Sequence, residues 1–218
     1  MAANNSDATG AALIDKFGRR VDYIRLSVTD RCDFRCVYCM TEDMTFLPRK
    51  EILSLEELFL VGKAFVDLGV SKIRLTGGEP LVRKDVGEII QRLSALDVEL
   101  TMTTNATRIH EFVDVMWEAG VRKINVSLDT LNADTFLFLT KRDLFDRVKT
   151  NIDLLLAKGF VVKVNVVVMR GVNDREVLDF VRWTLTETLD VRFIEFMPFE
   201  GNRWDQEKVV TWQEMLDM

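Results

Sequence analysis

Six short segments with strand-like composition recur along the chain, separated by longer stretches with helical periodicity. That alternation limits the fold more than any other feature. The segments are Tyr23–Thr29, Lys72–Thr76, Glu99–Thr103, Lys123–Leu128, Val161–Met169 and Val191–Phe196. Between them, Ser54 and Glu57 have capping-box spacing ahead of the helical face Leu55, Leu58, Phe59 and Phe65. Asp85 with Glu88, and Asn173 with Glu176, repeat the arrangement. Gly69, Gly120 and Gly159 each fall where a helix should stop before the next strand. Strands alternating with helices imply a parallel sheet with helices packed on it, an α/β fold. Six units are too few for a closed eight-stranded barrel, so the pattern leaves an open partial barrel or a doubly wound sheet.

Parallel strands covered on both faces read as continuous apolar runs. These segments alternate instead. Arg25, Ser27 and Thr29 oppose Ile24, Leu26 and Val28, and Lys72, Arg74 and Thr76 oppose Ile73 and Leu75. Thr101, Thr103 and Asn105 fall together, as do Lys123, Asn125, Ser127 and Asp129, and then Lys163 and Asn165. Period-two alternation assigns each set to one side of the sheet. The apolar side is expected to meet the helices and the polar side to line a central, enclosed cavity. Arg25, Arg74 and Lys163 would then share one space, and unpaired buried cations are costly. A polyanionic ligand such as a nucleotide phosphate chain would supply their partners. In the last strand Arg192 falls with Ile194 and Phe196, and the direction of that set stays open.

The chain's three cysteines lie within eight residues, as Cys32-Asp33-Phe34-Arg35-Cys36-Val37-Tyr38-Cys39. An odd, clustered trio is a poor disulfide framework and points to metal or redox chemistry. A structural zinc would need a fourth ligand, and the single His, His110, is far along the chain. A four-iron cluster normally takes four thiolates. Three would leave one iron open to a small ligand.

Composition narrows the partners. Of 218 residues, 48% are hydrophobic, enough for a substantial core, and the net charge of −6 disfavours general binding to nucleic acid or anionic membranes. No apolar run reaches the roughly 18–20 residues of a spanning helix. Residues 1–12 read as a disordered tail that resembles neither a secretory signal nor a transit peptide, and residues 13–218 as one domain. A cytoplasmic location follows as the expectation.

The cysteine spacing resembles the signature of radical S-adenosylmethionine enzymes, and Gly77-Gly78-Glu79-Pro80 after the second strand is similar to their GGEP motif. The match is narrower still. Arg25–Cys32, Lys72–Gly78, Ile124–Asp129, Val162–Asn165 and Arg192–Pro198 resemble, in order, motifs of the GTP 3′,8-cyclase family of molybdenum-cofactor biosynthesis. This resemblance implies a partial (βα)6 TIM-like barrel. It also implies a [4Fe-4S] cluster on Cys32, Cys36 and Cys39, with S-adenosylmethionine bound at its open iron and contacted by Tyr38, Gly78, Ser127 and Met197. GTP would be contacted by Arg25, Arg74, Thr103 and Lys163, which include the three cations picked out by strand phase. Glu79 is expected to help position an ammonium group, with the glycines beside it allowing close approach of a ligand. In the family, S-adenosylmethionine is cleaved reductively, a hydrogen is taken from ribose C3′ of GTP, and that carbon joins guanine C8. A cyclic pyranopterin monophosphate synthase consumes the product, and an unidentified donor supplies the electron. A homodimer is compatible with the sequence.

Two positions depart from the family pattern. Thr41 stands where Pro is usual, and Ala106 stands where Gly commonly follows Thr-Thr-Asn. A positive φ at Ala106 would cost about 1 kcal/mol or more. Family members also continue into a region with three further cysteines, a second cluster and a guanine site, and end in Gly-Gly. The expectation is therefore a truncated core that cleaves S-adenosylmethionine uncoupled from cyclisation. Two alternatives stay open: a radical S-adenosylmethionine enzyme with another substrate, and a non-catalytic remnant that keeps the cofactor site.

Overall fold

The structure is a computed structural model, and it describes residues 13–40, 43–198 and 205–218. The expected tail at 1–12 and the substitution at Thr41 lie outside the described residues. All six expected strands form: β1 (Tyr23–Ser27), β2 (Lys72–Thr76), β3 (Glu99–Thr104), β4 (Lys123–Ser127), β5 (Val161–Val168) and β6 (Leu189–Glu195). They make one sheet, parallel at every pairing, in the order β1-β2-β3-β4-β5-β6. The order never reverses, so there is no topological switch point and the doubly wound alternative falls away. With right-handed crossovers, sequential order keeps the connecting helices on one side and curls the sheet into a partial barrel.

The helices are α1 (Leu55–Asp67), α2 (Val86–Ser94), α3 (Ile109–Glu118), α4 (Ala133–Thr140), α5 (Phe145–Ala157), α6 (Val177–Thr186) and the short α7 (Trp212–Leu216). Ser54 and Glu57 form the expected capping box on α1, and Thr211 and Glu214 form one on α7. The other two expected boxes do not form. Asp85 precedes α2 without capping it, because its carboxylate accepts from Arg83 at 2.8 and 3.2 Å. Glu176 is drawn across to Thr130 and Leu131, at 2.7 and 2.6 Å. Asn173 spans three backbone groups, accepting from Met169 N and donating to the carbonyls of Asp129 and Val167. Tertiary partners outbid the local cap wherever a loop at the strand ends offered an unsatisfied group.

The apolar strand residues form the core, with Ile73, Leu75, Ile124, Val126, Val162 and Val164 all buried against the helix layer. The opposite face carries the polar rows, but it is not enclosed. Arg25 is exposed, and Arg74 and Lys163 are half-buried. Nor are the cations unpaired. Lys163 meets Asp190 at 2.6 Å, Arg74 lies near Thr101 (3.4 Å) and over the Tyr23 ring (5.4 Å), and Arg25 reaches Tyr23 Oη at 3.3 Å. A six-stranded sheet leaves this face as an open trough where an eight-stranded barrel would close it. Register fixes the open phase of the last strand. Arg192 pairs with Asn165, and Asn165 with Ser127, so Arg192 stands on the polar face. Phe193 turns the other way, edge-on to Phe180 of α6 at 6.2 Å.

Candidate active site

The three cysteines lie on the loop that leaves β1 at the C-terminal edge of the sheet, the edge where parallel α/β folds place their ligands. The loop docks by backbone bonds onto the end of α4: Arg35 N to Thr140 O at 3.0 Å and Val37 N to Leu139 O at 2.9 Å. Phe34 packs edge-on against Phe136 at 5.5 Å. Between Cys36 and Cys39 the chain makes a tight turn, with Cys39 N bonding to Cys36 O at 2.8 Å.

The loop is also held from the β2 side. Gly78 N donates to Thr29 O and Glu79 N to Arg31 O, both at 2.8 Å. A Cβ at Gly77 would lie 2.4 Å from Thr29 O, and one at Gly78 would lie 2.5 Å from Arg31 O. These glycines are demanded by the chain's own cysteine loop. Glu79 also binds the chain's own backbone and side chains. It is buried, and its carboxylate accepts from Leu81 N (3.0 Å), Thr104 Oγ1 (2.8 Å) and Asn105 N (2.6 Å). Burial pushes its pKa up to about 7, against the pull of those donors. Three of about four lone-pair positions are used inside the protein, so its first task is to knit the β2 and β3 ends together.

These elements surround a cavity of about 300 Å³ lined by Cys32, Cys36, Cys39, Tyr38, Gly78, Thr103 and Ser127, among others. The structure thus brings the three thiols together with three of the four expected S-adenosylmethionine contacts and one expected GTP contact. Met197, just beyond β6, is 55% exposed and outside that lining. Arg25, Arg74 and Lys163 lie on the same sheet face but outside the cavity lining. Residues given no site role from the sequence also matter. Asp33 accepts from Asn105 Nδ2 at 2.7 Å and from Thr107 Oγ1 at 2.6 Å. Asp129 accepts from Tyr38 Oη and from Val167 N. The one available signal was an acid between cysteines and another at a strand end, neither with a local partner.

Burial pushes the Cys32 thiol up to about 12, and Cys36 and Cys39 upward as well, with the nearby Asp129 carboxylate adding to both. Bare thiolates are therefore disfavoured here, and a bound cationic metal would offset that cost. Among the described residues, no trio of His, Cys, Asp or Glu converges as a single ion requires. Three thiols around one cavity suit a multi-iron cluster, which takes each thiolate on a separate iron. The donor set fits a four-iron cluster that leaves one iron without a protein ligand.

Comparison with known proteins bears on the same residues. The family model for the radical SAM superfamily matches residues 26–184, from β1 through most of α6. The chain belongs to the radical SAM superfamily. As such it uses a [4Fe-4S] cluster and S-adenosylmethionine. It is 53% identical over 189 residues to a GTP 3′,8-cyclase of Ectopseudomonas mendocina, covering 85% of this chain and 57% of that protein. A GTP 3′,8-cyclase of Saccharophagus degradans is 51% identical over 191 residues, covering 86% of this chain and 58% of that one. The chain thus spans less than two thirds of the length of these curated relatives. Among solved structures, Streptococcus suis SuiB bound to S-adenosylmethionine aligns with a TM-score of 0.71 at 18% identity, over 87% of this chain and 43% of SuiB. Methylornithine synthase (PylB) aligns at 0.64 and 19%, over 83% of this chain and 55% of that one. These two likenesses concern the fold, the partial barrel. No helix among the described residues is long and apolar enough to cross a membrane.

Proposed function

We propose that this chain is the radical-generating core of a GTP 3′,8-cyclase. That enzyme converts GTP to (8S)-3′,8-cyclo-7,8-dihydroguanosine 5′-triphosphate in the first step of molybdenum-cofactor biosynthesis. The observation that carries the reading is the 51% and 53% identity to cyclases across most of the chain, against 18% and 19% to SuiB and methylornithine synthase.

Cys32, Cys36 and Cys39 would hold the cluster. When bound, the cluster and S-adenosylmethionine together supply a one-electron bond cleavage that yields a hydrogen-abstracting carbon radical. The chain's task is to place and shield it. Gly78, its backbone fixed against Thr29, forms part of the wall beside the thiols. Tyr38 forms another part, with its hydroxyl taken up by Asp129. Ser127 brings a hydroxyl from β4, and Met197 would contribute from beyond β6. Phe34, Leu128, Phe136 and Leu139 add an apolar wall beside polar groups such as Asn105 and Asp129, which limits water around a reactive intermediate.

GTP would lie along the trough. Thr103, Asn125 and Lys163 stand in one cross-strand row, and Arg25 and Arg74 stand in another nearer the strand N-termini. Cations on a shared face suit a triphosphate, and Arg192, on the same face, adds a fourth. The pathway partner is the cyclic pyranopterin monophosphate synthase that takes the product. The reducing electron comes from a separate donor, and the setting is the cytoplasm.

Anaerobic reconstitution tests the reading. The chain should take up about four irons, the stoichiometry of one cubane cluster, and lose them on replacement of any of the three cysteines by Ala. With dithionite, S-adenosylmethionine and GTP it should release 5′-deoxyadenosine. One zinc per chain with no sulfide, or a cluster-loaded chain that leaves S-adenosylmethionine intact, overturns it.

A further inference from the structure

The loop after β3 carries an unusual backbone. Ala106 is buried, with φ at 64°, in the left-handed region that alanine avoids. A non-glycine residue there persists only where its surroundings fix it, and such positions cluster at functional sites. Here the consequence is visible. The left-handed residue turns both its neighbours, Asn105 and Thr107, toward the cysteine loop. Asn105 Nδ2 donates to Asp33 Oδ1 at 2.7 Å, and Thr107 Oγ1 donates to Asp33 Oδ2 at 2.6 Å, so both oxygens of that carboxylate are taken. Arg142 Nε holds the Asp33 carbonyl at 2.9 Å.

The Asn105 amide has no freedom to flip. Its Oδ1 accepts from Thr107 N at 3.0 Å, and its own backbone N–H is bound by Glu79. Asn151 secures the turn from α5 by donating to the carbonyls of Ala106 and Thr107 at 2.6 and 3.1 Å. The amide nitrogen thus oriented lies 3.9 Å from Cys32 Sγ, on which Phe34 N also bears at 3.4 Å.

We propose that Asn105 and Thr107 are positioning residues for the iron–sulfur centre: they latch the cysteine loop through Asp33, and the Asn105 amide donates to the Cys32 sulfur when it ligates iron. A donor on a cluster sulfur stabilises the more negative, reduced state and so raises the reduction potential. The inference rests on the cluster reading of the three thiols. Failure of that reading would appear in the unaltered chain, as absence of iron and sulfide.

The test compares the reconstituted 218-residue chain with Asn105→Leu, Thr107→Val and Thr107→Ser. EPR-monitored redox titration reads the potential, and iron release to a chelator reads the latch. Asn105→Leu should lower the ratio of reduced to oxidised cluster at a fixed poise by roughly three- to tenfold, where tenfold corresponds to about 59 mV for one electron. Thr107→Val should speed iron release at least threefold, and Thr107→Ser, which keeps the hydroxyl, should restore the parental rate. Unchanged potential in Asn105→Leu overturns the sulfur contact. Identical release rates for Thr107→Val and Thr107→Ser overturn the latch, and that pair remains decisive if Asn105→Leu does not fold.

Discussion

The hydroxyl of Tyr38, on the cysteine loop, donates to the carboxylate of Asp129 at the end of β4, 91 residues away. Asp129 is buried, and its other oxygen accepts from Val167 N of β5 at 2.8 Å. One side-chain pair therefore joins the loop that carries the thiols to two strands on the far side of the cavity. Burial pushes Asp129 up to about 6, while the Tyr38 and Val167 donors pull it down. Tyr38→Phe should remove one of those donors and cost about 1–3 kcal/mol, the penalty for leaving a buried group unsatisfied. The loss should be larger at pH 8, where Asp129 is ionised, than at pH 5, where a protonated carboxyl needs the donor less. Denaturant unfolding at the two pH values measures it, and an equal loss at both would show that the tyrosine acts through packing alone.

Glu79 gives a second pH dependence. Its folded value of about 7 lies above the ordinary carboxylate range near 4.3, so between those values the folded chain binds the extra proton. Stability then falls as pH rises through that window, because the folded state must surrender a proton the unfolded state has already lost. The cost is fully present above pH 7 and relieved below about 4. Glu79→Gln should lower stability overall, since one of three donors loses its acceptor, yet flatten the decline between pH 5.5 and 8. Urea midpoints at both pH values for the two proteins decide it.

Lys163 and Asp190 form a competing pair on the proposed phosphate face, at 2.6 Å with Asp190 mostly exposed. The lysine holds the Asp190 carboxyl below its usual range. Lys163→Ala should weaken GTP binding by about 1.5–3 kcal/mol, the range for a charged hydrogen bond, while leaving S-adenosylmethionine binding largely intact. Asp190→Asn should tighten GTP by up to about fivefold, since an exposed ion pair offers at most about 1 kcal/mol of competition. Calorimetric titration with each ligand measures both. Equal loss of both ligands in Lys163→Ala would assign the lysine to folding.

Ala106→Gly relieves the left-handed strain at that position. Glycine occupies the left-handed region freely, so the variant should be more stable by about 1 kcal/mol despite its greater freedom when unfolded. The iron content after reconstitution should stay the same, because the hydrogen bonds around the turn run through its backbone and its neighbours. A thermal melt lower than that of the parent chain would mean that the methyl packs more favourably than the left-handed geometry costs.

Much of the molecule is legible in the order of its residues. Strand-like composition locates all six strands, and period-two alternation puts Arg25, Arg74 and Lys163 on one face, because both follow from local backbone preference. The cysteine spacing and the motifs that follow it point to the chemistry for a related reason: the ligands lie close together in sequence. Strand order, and with it the choice between a partial barrel and a doubly wound sheet, is settled only by pairing across the chain. The same holds for the phase of Arg192, which the register with Asn165 decides. Capping spacing succeeds at Ser54 but not at Asp85 or Asn173, where other groups win the side chain. Asp33, Thr107 and Asp129 acquire their roles from partners 74, 74 and 91 residues away. Spacing along the chain encodes what a residue can do with its neighbours. Which buried acid meets which distant donor depends on how the loops at the strand ends come together, and only the folded chain brings them within hydrogen-bonding reach.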